Sequence, residues 1–358
     1  MTRIRDLGVT IGVLPTGPTN SVGDVAGVGV GHTTLIRDEA PPPDGRGIAR
    51  TGVSVICVAE DAYLRPVPFG GAVLNGAGEC TGFIAASEWG LLETPVLLTS
   101  TMQLGRVYDA ACELMVHAHP EVGDDVVIPV VAECDDSYLS NAARMQVTRS
   151  DVGSAWTAAV AASAGAGPCD EGSVGAGTGM SCLGFKGGIG TASRVTPEGY
   201  TVGVLLLANF GDRSRLTIDG IPAGRLLHPD PYPEPDPAGS CIGVVVTDAP
   251  LEAASCARLA RRVGLGLARA GSYASNGSGE IFVCAATGLR PAARGGRLSG
   301  AGLAGAELDD LFAAVVESSE EAVLNSLSGS PTMHGHAGHA REGLPLDEVR
   351  ALVTARRP

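Results

Sequence analysis

Ser275-Asn276-Gly277-Ser278-Gly279-Glu280-Ile281-Phe282-Val283-Cys284 joins a turn of small residues to an apolar, β-rich run that continues to Ala286. A serine between two glycines is sterically open, and glycine tolerates backbone angles that a side chain resists. Ser278 is therefore a candidate nucleophile. The Gly277–Ser278 bond is a candidate for self-cleavage, which would leave Ser278 as a terminus with its α-amine beside its hydroxyl. The competing reading is a plain turn before a strand, which such composition signals more commonly.

Other apolar runs share the character of 281–286. Residues 53–59, 200–209 and 241–247 read as strands, and 202–208, Val-Gly-Val-Leu-Leu-Leu-Ala, does not alternate at all. Strands without alternation are buried on both faces. Residues 25–30 alternate as a strand does, and 95–101 and 126–132 are further strands, the last delivering Glu133 at its end. Between them 107–119, 155–166, 251–270 and 307–326 are helical, and a shorter helix over 81–89 takes Thr81 as its cap. Strands buried on both sides among long helices predict stacked sheets with helices outside them, a layered α/β sandwich. The proline-rich 228–237 is an exposed loop between core strands and not a domain boundary, so 1–358 reads as one domain.

Composition narrows the function. The chain is 44% hydrophobic and 18% charged, enough to build a sizeable core. A net charge of −14 argues against nucleic-acid or anionic-membrane binding, both of which need clustered Lys and Arg, and leans toward cationic substrates. Nine cysteines with no Cys-x-x-Cys pair, four of them (Cys57, Cys112, Cys241, Cys284) in apolar runs, suggest a reducing compartment and not a disulfide framework. Neither a signal-like N-terminus nor a membrane-length apolar run occurs, so a cytoplasmic protein is expected.

Several motifs fail on inspection. The glycine-rich 171–190 lacks a Gly-x-Gly-x-x-Gly, because Met180 stands at the sixth position from Gly175, and Lys186 precedes its glycines instead of following them. His334, His336 and His339 form a tract that could bind zinc, but no Cys or acidic partner flanks them in a ligand spacing. A Ser-His-Asp triad has no Gly-x-Ser-x-Gly elbow to support it.

Strand ends carry more. Glu133, Asn209 and Ser278 each stand between an apolar strand and a small-residue turn, and sites in layered folds form where such ends converge. The bland readings are a solvated carboxylate for Glu133 and a turn cap for Asn209. In the helix 307–326, Ser318 and Ser319 interrupt an apolar stripe and Glu317, Glu320 and Glu321 crowd beside it. These side chains either orient a nucleophile and its proton carrier or form a solvated acidic face. Ser318 and Glu320 are two residues apart and so lie on different helix faces.

Taken together these stretches resemble one family, the self-processing L-aminopeptidase/D-esterase group that includes the β-peptidyl aminopeptidases. The resemblance runs through Arg5-Asp-Leu-Gly8, Leu14-Pro-Thr-Gly-Pro18, Asp24-Val-Ala-Gly-Val-Gly-Val-Gly-His32 and Asn75-Gly-Ala-Gly-Glu79. It continues in Pro129-Val-Val-Ala-Glu133, Gly175-Ala-Gly-Thr-Gly-Met180, Phe185-Lys-Gly-Gly-Ile-Gly-Thr191 and Ala208-Asn-Phe-Gly211. It ends in Ala274-Ser-Asn-Gly-Ser-Gly279 and Glu320-Glu-Ala-Val-Leu-Asn325.

The resemblance implies a four-layer αββα sandwich like that of N-terminal-nucleophile hydrolases, with different strand connectivity. It implies cleavage between Gly277 and Ser278 into chains 1–277 and 278–358 that stay together, as a homotetramer of processed heterodimers. Ser278 becomes the nucleophile, Asn209 the oxyanion donor and Glu133 the anchor for a substrate's free amine. Ser318 and Glu320 become a supporting pair, with Ser319 a near competitor. Some members carry a tyrosine two residues after the glutamate. Here Asp135 holds that position and Tyr138 lies nearby, so both are candidate substrate-binding residues.

The implied chemistry is release of N-terminal residues from short peptides, amides or esters through an acyl-enzyme, with no metal or organic cofactor. The liberated α-amine, with a pKa of about 7.7–8.0, would serve as base. Rival readings are a β-amino-acid-specific or oligoamide hydrolase, an unprocessed, inactive scaffold or binding protein, and a metallohydrolase built on the histidine tract.

Overall fold

In the computed structural model, residues 2–165, 167–227, 239–298 and 300–356 are described; the expected loop over 228–237 lies outside them. One sheet contains β1 (Gly29–Asp38), β2 (Ile48–Cys57), β4 (Cys80–Thr81), β6 (Val96–Ser100) and β7 (Val130–Cys134), in the order β1-β2-β6-β7-β4. The other contains β3 (Val67–Gly76), β5 (Leu91–Leu92), β10 (Gly188–Val195), β11 (Thr201–Asn209), β12 (Ser240–Thr247) and β13 (Gly279–Ala286). Its order is β10-β11-β12-β13-β3-β5, antiparallel except between β12 and β13. Two short pairs stand apart: β8 (Ser181–Cys182) with β9 (Phe185–Lys186), and β14 (Met333–His334) with β15 (Ala340–Arg341).

The unbroken apolarity of β11 has a direct cause. Val202, Val204, Leu206 and Ala208 pack outward, while Leu205 and Leu207 pack inward against the other sheet. Successive strand side chains take opposite faces, so a strand between two cores needs apolar residues at every position. Inward residues of both sheets, including Ile56, Leu98, Val130, Ile242 and Val283, form the central core.

Helices α2 (Leu104–Ala118) and α3 (Arg149–Ser163) cover the first sheet. Helices α5 (Ala253–Ala270) and α6 (Asp309–Ser328) cover the second, α5 over β3 and β13 and α6 over β10 and β11. The layers therefore run α, β, β, α. Short helices α1 (Phe83–Trp89), α4 (Ala223–Leu226) and α7 (Leu346–Arg356) lie outside this scheme. Glycine lets the layers close: a Cβ on Gly190 would lie 1.8 Å from the Ala322 carbonyl oxygen of α6.

Some boundaries differ from expectation, each for a local reason. Thr81 is not a helix cap; it pairs with β7, and Gly82 at φ +69° turns the chain into α1. Strand β7 begins only at Val130, after Pro129, so Glu133 is its penultimate residue and not a residue beyond its end. Helix α3 starts earlier than the alanine-rich run, because Thr148 and Asp151 form a capping box. All nine cysteines are free; Cys112 is only partly buried.

Candidate active site

Three strand ends meet in register. Asn209 pairs with Ser240, and Ser240 with Gly279, so they stand abreast at one end of three neighbouring strands of the second sheet. Alternation from Leu205 and Leu207 sends the Asn209 side chain inward.

The turn before β13 is tightly tied. Ala274 takes a left-handed φ of +50°, which a non-glycine residue rarely adopts. The Ser278 N–H, which belongs to the Gly277–Ser278 peptide bond, donates to the Ser275 carbonyl at 2.9 Å. Asn75 Nδ2 donates to that same carbonyl at 2.7 Å, anchoring the turn to β3. Gly279 is needed for space, since a Cβ there would lie 2.5 Å from the Ala77 carbonyl oxygen. Ser278 is buried, and its Oγ donates to Glu280 Oε1 in a short hydrogen bond.

Glu280 is the residue that the sequence reading passed over. It is fully buried, its Oε2 has no hydrogen-bond partner among the described residues, and burial raises its pKa. Residues two apart in an extended chain share a face, which is the signal that would have paired it with Ser278.

Glu133 comes from the opposite sheet. Its Oε1 accepts from the Glu79 N–H at 2.8 Å and its Oε2 accepts from Thr101 Oγ1. Burial again raises the carboxyl's pKa, against the lowering effect of those bonds. The connection from β3 to β4 wedges between the sheets here. A Cβ on Gly78 would stand 3.3 Å from Glu133 Oε1 and 3.7 Å from Gly279 Cα. The carboxylate and the residue after Ser278 are thus separated by little more than one backbone strand.

Asn209 is held at both ends of its amide. Oδ1 accepts from the Ser181 N–H at 2.8 Å, and Nδ2 donates to the Asp135 carbonyl at 2.9 Å. One Nδ2 proton remains for another acceptor. Behind it stands fully buried Lys186, whose Nζ donates to the carbonyls of Met180 at 2.7 Å, Gly187 at 2.6 Å and Gly177 at 3.2 Å. Its pKa is lowered to about 7 by burial, against the attraction of buried Asp136. The Met180–Ser181 peptide accepts from Lys186 on one side and donates to Asn209 on the other, a polarised chain of hydrogen bonds.

Asp135 contributes to this chain through its backbone; its carboxylate caps Ser137 at 2.8 Å. Tyr138 stacks on His339 with ring centres 4.4 Å apart, and Arg341 lies over the Tyr138 ring and donates to Ser181 Oγ at 3.2 Å. His339 is thereby committed to Tyr138, and no group of three His, Cys, Asp or Glu side chains placed to hold a metal occurs among the described residues.

Ser318, Ser319 and Glu320 lie in the outer layer. Ser319 packs against Gly266 of α5, and Glu320 pairs with Arg269 at 2.5 Å. Ser318 Oγ is buried with no hydrogen-bond partner, and no hydrogen bond or ion pair joins these residues to Ser278 among the described residues. The acidic residues beside them are not a solvated face. Glu317 and Glu321 are buried against Arg194 at 3.1 and 2.7 Å, and Glu321 also meets Arg5 at 2.6 Å.

The description "Peptidase family S58" matches residues 20–341. The chain belongs to this family. A β-peptidyl aminopeptidase of Sphingosinicella xenopeptidilytica is 38% identical over 99% of this chain and 92% of its own length. A Burkholderia sp. β-aminopeptidase structure superposes with a TM-score of 0.89 at 37% identity, covering 100% of both chains. The L-aminopeptidase D-Ala-esterase/amidase of Ochrobactrum anthropi, a prototype serine aminopeptidase with a variant Ntn-hydrolase fold, gives 0.90 at 34% identity over 99% of each chain. This chain is a hydrolase of the aminopeptidase/amidase kind with that fold, and peptides are its substrate class.

Proposed function

We propose that the chain cuts itself between Gly277 and Ser278 and then acts as a serine aminopeptidase through an acyl-enzyme on Ser278. The carrying observation is that a buried serine just before β13, a buried carboxylate from β7 and a fixed amide from β11 lie at the same end of the sandwich. Once cleaved, Ser278 has an α-amine of pKa about 7.7–8.0 to take its hydroxyl proton. Asn209 Nδ2 donates a hydrogen bond to the tetrahedral oxyanion, a role that demands a donor fixed before reaction. Glu133 pairs with the substrate ammonium, which restricts the enzyme to chains with a free amine. Ser318, whose buried hydroxyl has no hydrogen-bond partner among the described residues, supports the cleaved site with Glu320. Short peptides, amides or esters fit this arrangement.

We infer further that the processed heterodimer assembles as a tetramer, as the resemblance to the self-processing group implies, and works in the cytoplasm, a reading that nine free thiols support. No helix among the described residues is long and apolar enough to cross a membrane. A preference for β-amino acid substrates is the second reading, favoured by the Sphingosinicella and Burkholderia relatives. Brief incubation with a free-amine aminoacyl ester, acid quenching and peptide mapping test the mechanism. One acyl group on the peptide that begins with Ser278 is expected; an adduct on any other residue would overturn it.

A further inference from the structure

Self-cleavage poses a problem that peptide hydrolysis does not. Until the Gly277–Ser278 bond breaks, the Ser278 nitrogen is an amide and cannot act as a base. The intact chain supplies a carboxylate in its place. Ser278 Oγ already donates to Glu280 Oε1, and this is its one side-chain hydrogen bond among the described residues. Glu280 is fully buried, and its second oxygen has no hydrogen-bond partner among the described residues. Burial moves this carboxyl upward from its ordinary value, in the direction that strengthens a base working near neutral pH. Its register partner on β12 is Cys241, whose thiol burial holds neutral.

We propose that Glu280 is the general base, and then the general acid, of the self-cleavage step. This rests on the reading that the Gly277–Ser278 bond is cut. Glu280 takes the Oγ proton as Oγ bonds to the Gly277 carbonyl carbon. It returns that proton to the Ser278 nitrogen as the C–N bond breaks. The product is an ester between Gly277 and Ser278 Oγ, with a free α-amine on Ser278. Water then adds to the ester and the C–O bond breaks. Gly277 keeps the water oxygen as a carboxylate, and Ser278 recovers its hydroxyl. The turn holds the scissile amide for this attack, through Ser278 N–H to the Ser275 carbonyl and Asn75 behind it.

The test follows full-length chain made in a short pulse, with cleavage read by intact mass over time. Glu280→Gln, which keeps the shape and removes the base, is expected to slow cleavage by about 10²-fold or more. The discriminating arm repeats it in a Ser278→Cys background. A thiol of pKa about 8.5 ionises with far less help, so Glu280→Gln should cost under about tenfold there. Equal slowing in both backgrounds would assign Glu280 to structure and overturn the proposal, as would cleavage of Glu280→Gln at the wild-type rate. If Glu280→Gln does not fold, Glu280→Asp decides by the same comparison: slowing confined to the Ser278 background supports the proposal, and wild-type cleavage overturns it. A wild-type chain that is never cut refutes the cleavage reading itself, and that result is seen before any variant is made.

Discussion

Replacing Glu133 with Gln separates its charge from its shape. The amide oxygen can keep the 2.8 Å bond from the Glu79 N–H. The amide nitrogen then faces Thr101 Oγ1, which changes from donor to acceptor. The wedge of Gly78 between Glu133 and Gly279 is undisturbed, so the fold and the cleavage turn should survive. What disappears is the negative charge proposed to hold a substrate ammonium. A hydrogen bond to a charged group contributes about 1.5–3 kcal/mol, and 1.4 kcal/mol is about tenfold in an equilibrium constant. The kcat/KM for free-amine substrates should therefore fall by about 10- to 150-fold. The assay compares an aminoacyl nitroanilide with its N-acetylated form on wild-type and variant enzyme. The wild type should prefer the free amine, and the variant should lose most of that preference. An equal loss on both substrates, or a variant chain that stays uncut, would refute the assignment of Glu133 as the amine anchor.

Asn209→Ala should lower kcat by roughly 10²–10³ with little change in KM, as expected for one lost oxyanion donor, measured by steady-state kinetics. Lys186→Met leaves the carbonyls of Gly177, Met180 and Gly187 short of a donor. It should lower Tm and kcat together, and in combination with Asn209→Ala should cost less than the sum of the two kcat losses, because both act through one chain. Burial raises the Glu133 carboxyl above its ordinary 4.5, so on acidification it becomes neutral, and should lose its proposed hold on an ammonium, at a higher pH than a free glutamate would. KM for free-amine substrates should rise through that range, and Glu133→Gln should abolish the rise.

The layered fold is legible in the sequence because a strand between two cores cannot hide its apolarity. The runs at 202–208 and 241–247 report two-sided burial directly. Glu133, Asn209 and Ser278 are legible as strand ends, since polar residues there interrupt otherwise apolar runs. Partners brought from far along the chain are not. Glu317 and Glu321 read as well as a solvated acidic face, yet Arg194 on β10 and Arg5 near the N-terminus bury them. Lys186 reads only as a failed phosphate motif, because the three carbonyls that satisfy its ammonium are set by the fold of the loop around it. Glu280 is the exception: its partnership with Ser278 is local, and the period-two rule of a strand was enough to find it.

We propose above all that this enzyme makes its own nucleophile by cutting before Ser278. Intact mass and terminal sequencing of the purified, active protein test it most directly. Two chains are predicted, 1–277 and 278–358, the second beginning Ser-Gly-Glu-Ile, while Ser278→Ala gives one uncut and inactive chain. A wild-type protein that is fully active as a single uncut chain would contradict self-cleavage as the source of the nucleophile.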